Sequence, residues 1–214
     1  MALSKLNFNS LNLTPVAGKG IGFDSGADDL EASFSGGAMT FISKSTASSS
    51  STISFTSGID STYKEYLFIF KDIHPATNQV ELEFQGNAAG GSGFNETMTT
   101  TLFKAGHSEA DNGTGVGYES GADQAQGTNY QDIARYVGNG NDECVSGTLH
   151  LFNPSSTTFV KHFMARTQMY HASDESEDCF TAGYFNTTSA IDEISFKFSS
   201  GNIDAGTITL YGIN

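Results

Sequence analysis

Residues 191–213, IDEISFKFSSGNIDAGTITLYGI, alternate apolar and polar side chains in two runs separated by a glycine-containing turn. A period of two marks a strand buried on one face, because successive side chains of an extended chain point to opposite sides of a sheet. Ile194, Phe196 and Phe198 make one inward row, Ile208 and Leu210 a second, and Tyr211 falls on the opposite face. Gly201 and Gly206 are available for the positive φ of a tight turn. A segment this apolar is predicted to be an interior or subunit-facing strand that closes the domain against strands formed far earlier in the chain.

The same period recurs upstream. STISFT (51–56) puts Ile53 and Phe55 on one face, and VELEFQ (80–85) turns Val80, Leu82 and Phe84 inward and Glu81, Glu83 and Gln85 outward. YKEYLFIFK (63–71) is apolar on both faces at its centre, as a strand deep in a sheet is. Between these last two, DIHPATNQ carries Pro75 and Asn78 and predicts a hairpin. TMTTTLF (97–103), CVSGTLHLF (144–152), TFVKHFMARTQMY (158–170) and CFTAGYF (179–185) read as further strands, with Leu149 and Leu151 opposite His150 in the second of them. About eight to ten strands result, and TNYQDIARY (128–136) is the best helical candidate. The 24 Gly, 17 Phe and 8 Tyr, with only 16% charged residues, suit strands and turns better than helices. The predicted fold is all-β, an antiparallel two-sheet β-sandwich of jelly-roll type over residues 37–214.

Residues 1–36 do not share the pattern. Leu3, Leu6, Phe8, Leu11, Leu13, Val16, Ile21 and Phe23 are scattered among Asn, Ser and Gly with no sustained period of two or 3.6. Apolar groups without regular structure of their own are expected in an extended arm laid in a groove of the same subunit, a neighbour or a scaffold; a disordered leader is the alternative. The anchoring residues of such an arm are Leu6, Phe8, Leu11, Leu13, Pro15, Ile21 and Phe23.

Two stretches read as loops. GHSEADNGTGVGYESGADQAQGTNYQ (106–131) is long, acidic and glycine-rich, and ASDESED (172–178) is acidic. Loops of that length are often functional, and Tyr118, Tyr130, Asp174 and Glu175 are the candidate exposed ligand residues. The two tyrosines are placed either to stack on sugars or to anchor the loop; the acidic run is either a solvated turn or a calcium loop, although it lacks the spacing that organises ligands around that ion.

Ten basic residues against 24 acidic ones give a formal charge of −14, which repels phosphate backbones and argues against nucleic-acid binding. No apolar run reaches the length of a membrane-spanning helix, and the N-terminus has no apolar core of a signal peptide. Cys144 and Cys179 are either buried thiols or a disulfide; their spacing is not that of a zinc site. The five histidines form no H-x-H or H-E-x-x-H, G-x-S-x-G is absent, and the NGTGVGYE glycines lack the lysine and helix of a phosphate loop. Glu81 and Glu83 share one strand face, as the paired carboxylates of a glycosidase would, but any solvent-facing strand shows such pairs. No catalytic residue, cofactor or metal ligand is therefore assigned.

The opening MALSKLNFNSLNLTPVAGKGIGF and the ending FKFSSGNIDAGTITLYGI together resemble a group of short virion proteins of tailed phages, especially marine ones, of the kind labelled tail fibre or uncharacterised structural protein. STYKEYLFIF and IHPATNQVELEFQ are similar in pattern to the same group. The resemblance implies a non-enzymatic particle component, assembled in the host cytoplasm into the virion, with other virion proteins as partners. Two roles fit it: a head decoration or cement protein, as a homo-oligomer and most simply a trimer, or a tail fibre or appendage subunit that meets host glycans. A glycan-binding receptor module is the alternative, and a glycan-degrading enzyme the outsider.

Overall fold

The computed structural model describes residues 19–23, 30–35 and 38–214, with side chains from residue 38 onward. The chain divides into two compact units, Met1–Thr40 and Phe41–Asn214. In the first, β1 (Lys19–Phe23) and β2 (Leu30–Ser35) pair antiparallel, with Lys19 opposite Ser35 and Phe23 opposite Leu30. No regular structure was expected here, and strands of five and six residues are too short for their alternation to stand out. The expected anchors Leu6, Phe8, Leu11, Leu13 and Pro15 lie outside the described residues, as do the side chains of Ile21 and Phe23.

The other strands are β3 (Met39–Thr46), β4 (Ile53–Phe55), β5 (Glu65–Pro75), β6 (Val80–Ala88), β7 (Met98–Ser108), β8 (Thr114–Tyr118), β9 (Ala125–Gly127), β10 (Gln131–Val137), β11 (Val145–Phe152), β12 (Lys161–His171), β13 (Glu175–Phe185), β14 (Ile191–Phe198) and β15 (Ile203–Ile213). They make one 13-stranded sheet, antiparallel at every pairing described and nearly closed like a barrel, and there is no helix among the described residues. One run of the sheet reads β3-β15-β5-β11-β12-β13-β7, with β8 and β9 both on the far side of β7. A second, β10-β6-β14-β4, pairs with the first among the described residues where Val137 meets His171.

The two runs close on a core of phenylalanines. Phe84 on β6 meets Phe163 on β12 edge-on at 4.9 Å, and Phe196 on β14 meets Phe68 and Phe70 on β5 at 5.3 and 5.2 Å. Phe55 on β4 reaches Phe68 at 5.3 Å. Each ring that leaves water in this way contributes about 1.5–3 kcal/mol before the entropy of ordering is set against it. Inward rows fall where the alternation put them: Val80, Leu82 and Phe84, then Ile194, Phe196 and Phe198, then Ile208 and Leu210, are all buried. β5 is interior, flanked by β15 and β11, and Tyr66, Leu67 and Phe68 are buried in succession. β15 lies between β3 and β5.

Several expectations are corrected. β5 and β6 do not form a hairpin: β5 pairs with β11 and β15, β6 with β10 and β14, so the chain after Pro75 passes from one run of the sheet to the other instead of folding back beside its own strand. TNYQDIARY is not helical; Gln131–Val137 is strand β10, held by β6 where the local sequence has no clear period. The stretch 106–131 is not one loop, because its glycines leave the backbone free to pair and β8 and β9 form against β7. Nor is 172–178 a loop throughout: β12 and β13 pair up to His171 and Glu175, and Glu177 turns inward to be buried. Gln85, expected on the outside, is fully buried. Gly206 has the expected positive φ of 106° but lies at an irregularity inside β15, not in the turn.

Candidate functional site

Alternation along three neighbouring strands builds one polar row. Gln131 and Ile133 point inward on β10, Phe84 on β6 and Phe196 on β14, so Asp132, Glu83 and Lys197 point the other way. Register then aligns them, with Asp132 opposite Glu83 and Glu83 opposite Lys197. The two acidic side chains are only 17% and 15% exposed. Lys197 Nζ lies 3.4 Å from Glu83 Oε2. Arg135 Nε lies 3.3 Å from Asp132 Oδ2 but makes no hydrogen bond, so that pairing is one of charge without directed bonding.

Burial pushes the Asp132 carboxyl up to about 7, the Glu83 charge adds to this, and the Arg135 guanidinium opposes it. Glu83 is also raised, again by burial first, with Lys197 pulling the other way. Two carboxylates side by side in a half-dry site cannot both ionise freely, so the pair holds a proton near neutrality.

The wall above this row is the segment 119–130, pinned from the core side by buried amides. Gln85 Nε2 donates to the carbonyls of Thr128 and Asn129 at 3.1 and 3.0 Å. Gln131 Nε2 donates to Ala122 O at 2.7 Å, and its Oε1 accepts from Thr100 Oγ1 at 2.6 Å. A cavity of about 480 Å³ remains between row and segment, lined by Glu83, Asp132, Lys197, Asp123, Gln124 and Tyr130 among others. Lys197 Nζ stands 4.5 Å from the centre of the Tyr130 ring, a cation–π contact.

Of the four loop residues expected to meet a ligand, Tyr130 lines this cavity and Tyr118 touches its rim, donating from Oη to Asp123 Oδ2 at 2.6 Å. Asp174 and Glu175 do not join them. Asp174 occupies the β12–β13 turn at φ 58°, and Glu175 opens β13 beside a second cavity of about 360 Å³. Lys104 and Glu177, 2.7 Å apart, line that cavity, and Gly113, Gly115 and Gly117 of the β8 hairpin roof it. The two expected loops thus stay apart in the structure: the tyrosines go with the cavity at Asp132, Asp174 and Glu175 with the β12–β13 turn. Asp132, Lys197 and Asp123 escaped the sequence reading, and Glu83 was weighed with Glu81 instead of with Asp132. The available signal was a charged residue alternating with buried ones on each strand; which strands are neighbours has no local signature.

The outer face of the first run carries a different kind of surface. Register sets Tyr118, Phe103, Phe180 and Arg166 in a line across β8, β7, β13 and β12. Phe103 and Phe180 stack at 4.7 Å with planes 3° apart, and the Arg166 guanidinium lies 4.9 Å over the Phe180 ring. Phe103, Val116, Tyr118, Phe159 and Met164 are large apolar side chains left exposed.

Cys144 and Cys179 are both free; burial pushes the Cys179 thiol up to about 12, which makes it an inert thiol. Among the described residues no group of three His, Cys, Asp or Glu side chains is placed to hold a metal ion. What the Asp132 row can do is accept paired hydroxyl donors, present an ammonium, and hold or release one proton. No protein family, curated protein or solved structure matches the chain.

Proposed function

We propose that this chain is a non-enzymatic structural component of a tailed-phage virion, displayed on the particle surface and anchored through residues 1–36. It serves either as a capsid decoration or cement protein or as a short tail fibre or appendage subunit, in contact with major capsid or tail proteins and with copies of itself, most simply as a trimer. One observation carries the reading: the line of aromatic side chains from Tyr118 through Phe103 to the half-buried Phe180, of which Tyr118 and Phe103 are exposed, on a sheet face that a lone soluble molecule would keep polar. The strongly acidic balance, ten basic against 24 acidic residues, supports exposure away from packaged nucleic acid. The finer architecture proposed is a two-layer jelly roll, supported by the rings of Phe84 and Phe196 meeting those of Phe163 and Phe68 across the core.

Mass-spectrometric counting of copies per purified particle tests the placement: hundreds of copies fit decoration, a few dozen or fewer fit a tail appendage, and none overturns the proposal. Deleting residues 1–35 is expected to leave a soluble folded domain that no longer joins particles. Aggregation of that truncated chain would assign the arm to the core instead. Phe103→Ser is expected to keep the fold and to weaken self-association or incorporation.

A second reading, a carbohydrate-binding module for a host surface, is favoured by the cavity at Asp132 with its carboxylates, amide and tyrosine ring. Activity on host polysaccharide that is lost on changing Glu81 or Glu83 would revive an enzymatic role.

A further inference from the structure

We propose that the cavity over Asp132, Glu83 and Lys197 is a subsite for an uncharged hexopyranose unit of a polysaccharide, and that it discriminates against sialic and uronic acids. The inference rests on the carbohydrate-binding reading and names the ligand class for that same site.

The chemistry follows from what the walls offer. Glu83 and Asp132 stand in register on adjacent strands, so their oxygens are presented side by side. A sugar ring presents vicinal hydroxyls in the same side-by-side way, and a carboxylate accepts from hydroxyls more strongly than any neutral group does. Lys197 adds a donor beside them. Gln124 stands on the wall, held there by its Nε2, which donates to Asn129 O and Gln131 Oε1. The Tyr130 ring, with Lys197 Nζ over one face, adds the aromatic surface of the wall that the C–H groups of a pyranose can meet. Donors, acceptors and one aromatic surface within about 480 Å³ suit a small hydroxyl-rich ligand and leave an aliphatic one with unmet polar groups.

Charge decides between sugars. Three carboxylates line the cavity, Asp123, Glu83 and Asp132, against one ammonium, Lys197, which already pairs with Glu83. A fourth carboxylate brought in by a ligand would be repelled at short range beside the largely buried Glu83 and Asp132. A neutral ring meets no such penalty. Asp132, which carries a proton for part of the time near neutrality, can donate to a ring oxygen or accept from a hydroxyl.

The segment that forms the wall is already in place. Gln85, Gln131 and Thr100 tie 119–130 to buried strands, so a ligand need not order it on arrival.

The test uses the purified full-length chain with the methyl glycosides of glucose, galactose and mannose, and with sialyllactose and galacturonic acid, read by saturation-transfer NMR titration at pH 7. At least one neutral glycoside is expected to bind saturably, and the two acidic sugars about tenfold more weakly or not at all. Glu83→Gln and Lys197→Met, each checked for an unchanged circular dichroism spectrum, are expected to weaken that binding by about fivefold or more. Acidic sugars binding as well as neutral ones would overturn the charge discrimination while leaving a carbohydrate module standing. Neutral-sugar binding untouched by both variants would place the site elsewhere. Failure of every sugar to bind would remove the carbohydrate reading itself, and this inference with it.

Discussion

Asp132 on β10 stands directly opposite Glu83 on β6, and neither carboxylate is more than 17% exposed. The pair is separated in sequence by 48 intervening residues, and sheet register brings it together.

Stability should report the Asp132 proton. Its folded value of about 7 lies above the ordinary carboxyl value of 3.8, so the stabilising contribution of the protonated form is complete below that lower value and is lost as pH rises through 7. Glu83 and Glu81 push in the same direction and Arg135 opposes them. Asp132→Asn removes this titration. Relative to the variant, the wild-type protein is expected to lose about 2–3 kcal/mol between pH 5 and pH 8, measured by urea denaturation at the two pH values. Parallel profiles for the two proteins would show that Asp132 titrates normally.

The Lys104–Glu177 contact gives a second prediction. Glu177 is 1% exposed and Lys104 Nζ lies 2.7 Å from its Oε2. Lys104→Met leaves a buried carboxylate with its nearest cation gone and is expected to cost about 3–5 kcal/mol. The double variant Lys104→Met with Glu177→Leu should recover most of that loss, because an apolar pair has no charge to desolvate. A double variant as unstable as the single one would mean that packing, not charge, sets the cost.

Gly206 is expected to resist substitution. Its φ is +106°, and a Cβ there would lie 2.3 Å from the carbonyl oxygen of Asp72. Gly206→Ala should destabilise by about 2–4 kcal/mol in thermal or chemical denaturation. Gly115→Ala is the control, since nothing lies within 4 Å of its Cβ position, and it should change stability by less than about 0.5 kcal/mol.

Removing Thr207 to Asn214 should abolish folding. That segment supplies Ile208 and Leu210, both fully buried, and seven of the nine residue pairs in the ladder to β5. The expected result is a chain without a cooperative thermal transition; a folded truncated domain would show that β15 is dispensable.

The alternation in 80–85 and 191–213 made the inward rows legible, since period two follows from strand geometry and needs no knowledge of partners. The same alternation placed Glu83 outward. It mislabelled Gln85, because a polar residue at a strand's outer position looks identical whether it meets water or the carbonyls of Thr128 and Asn129. The glycines of 106–131 read as loop because glycine carries no burial signal; β8 forms only because β7 presents a free edge to it. Tyr118 and Tyr130 were legible as exposed aromatics in a long loop; Tyr130 lines the cavity, and Tyr118 reaches it through its bond to Asp123.

By itself the amino-acid sequence determined that this protein is built of antiparallel strands, which faces of them are apolar, and that its surface is acidic: these depend on local geometry and composition alone. Only the tertiary structure decided that β5 crosses away from β6, that β10 is a strand, and that Asp132, Glu83 and Lys197 share one row. Those outcomes depend on which strands become neighbours and in what register. That choice is made by the whole core as it closes around Phe84 and Phe196, not by any segment on its own.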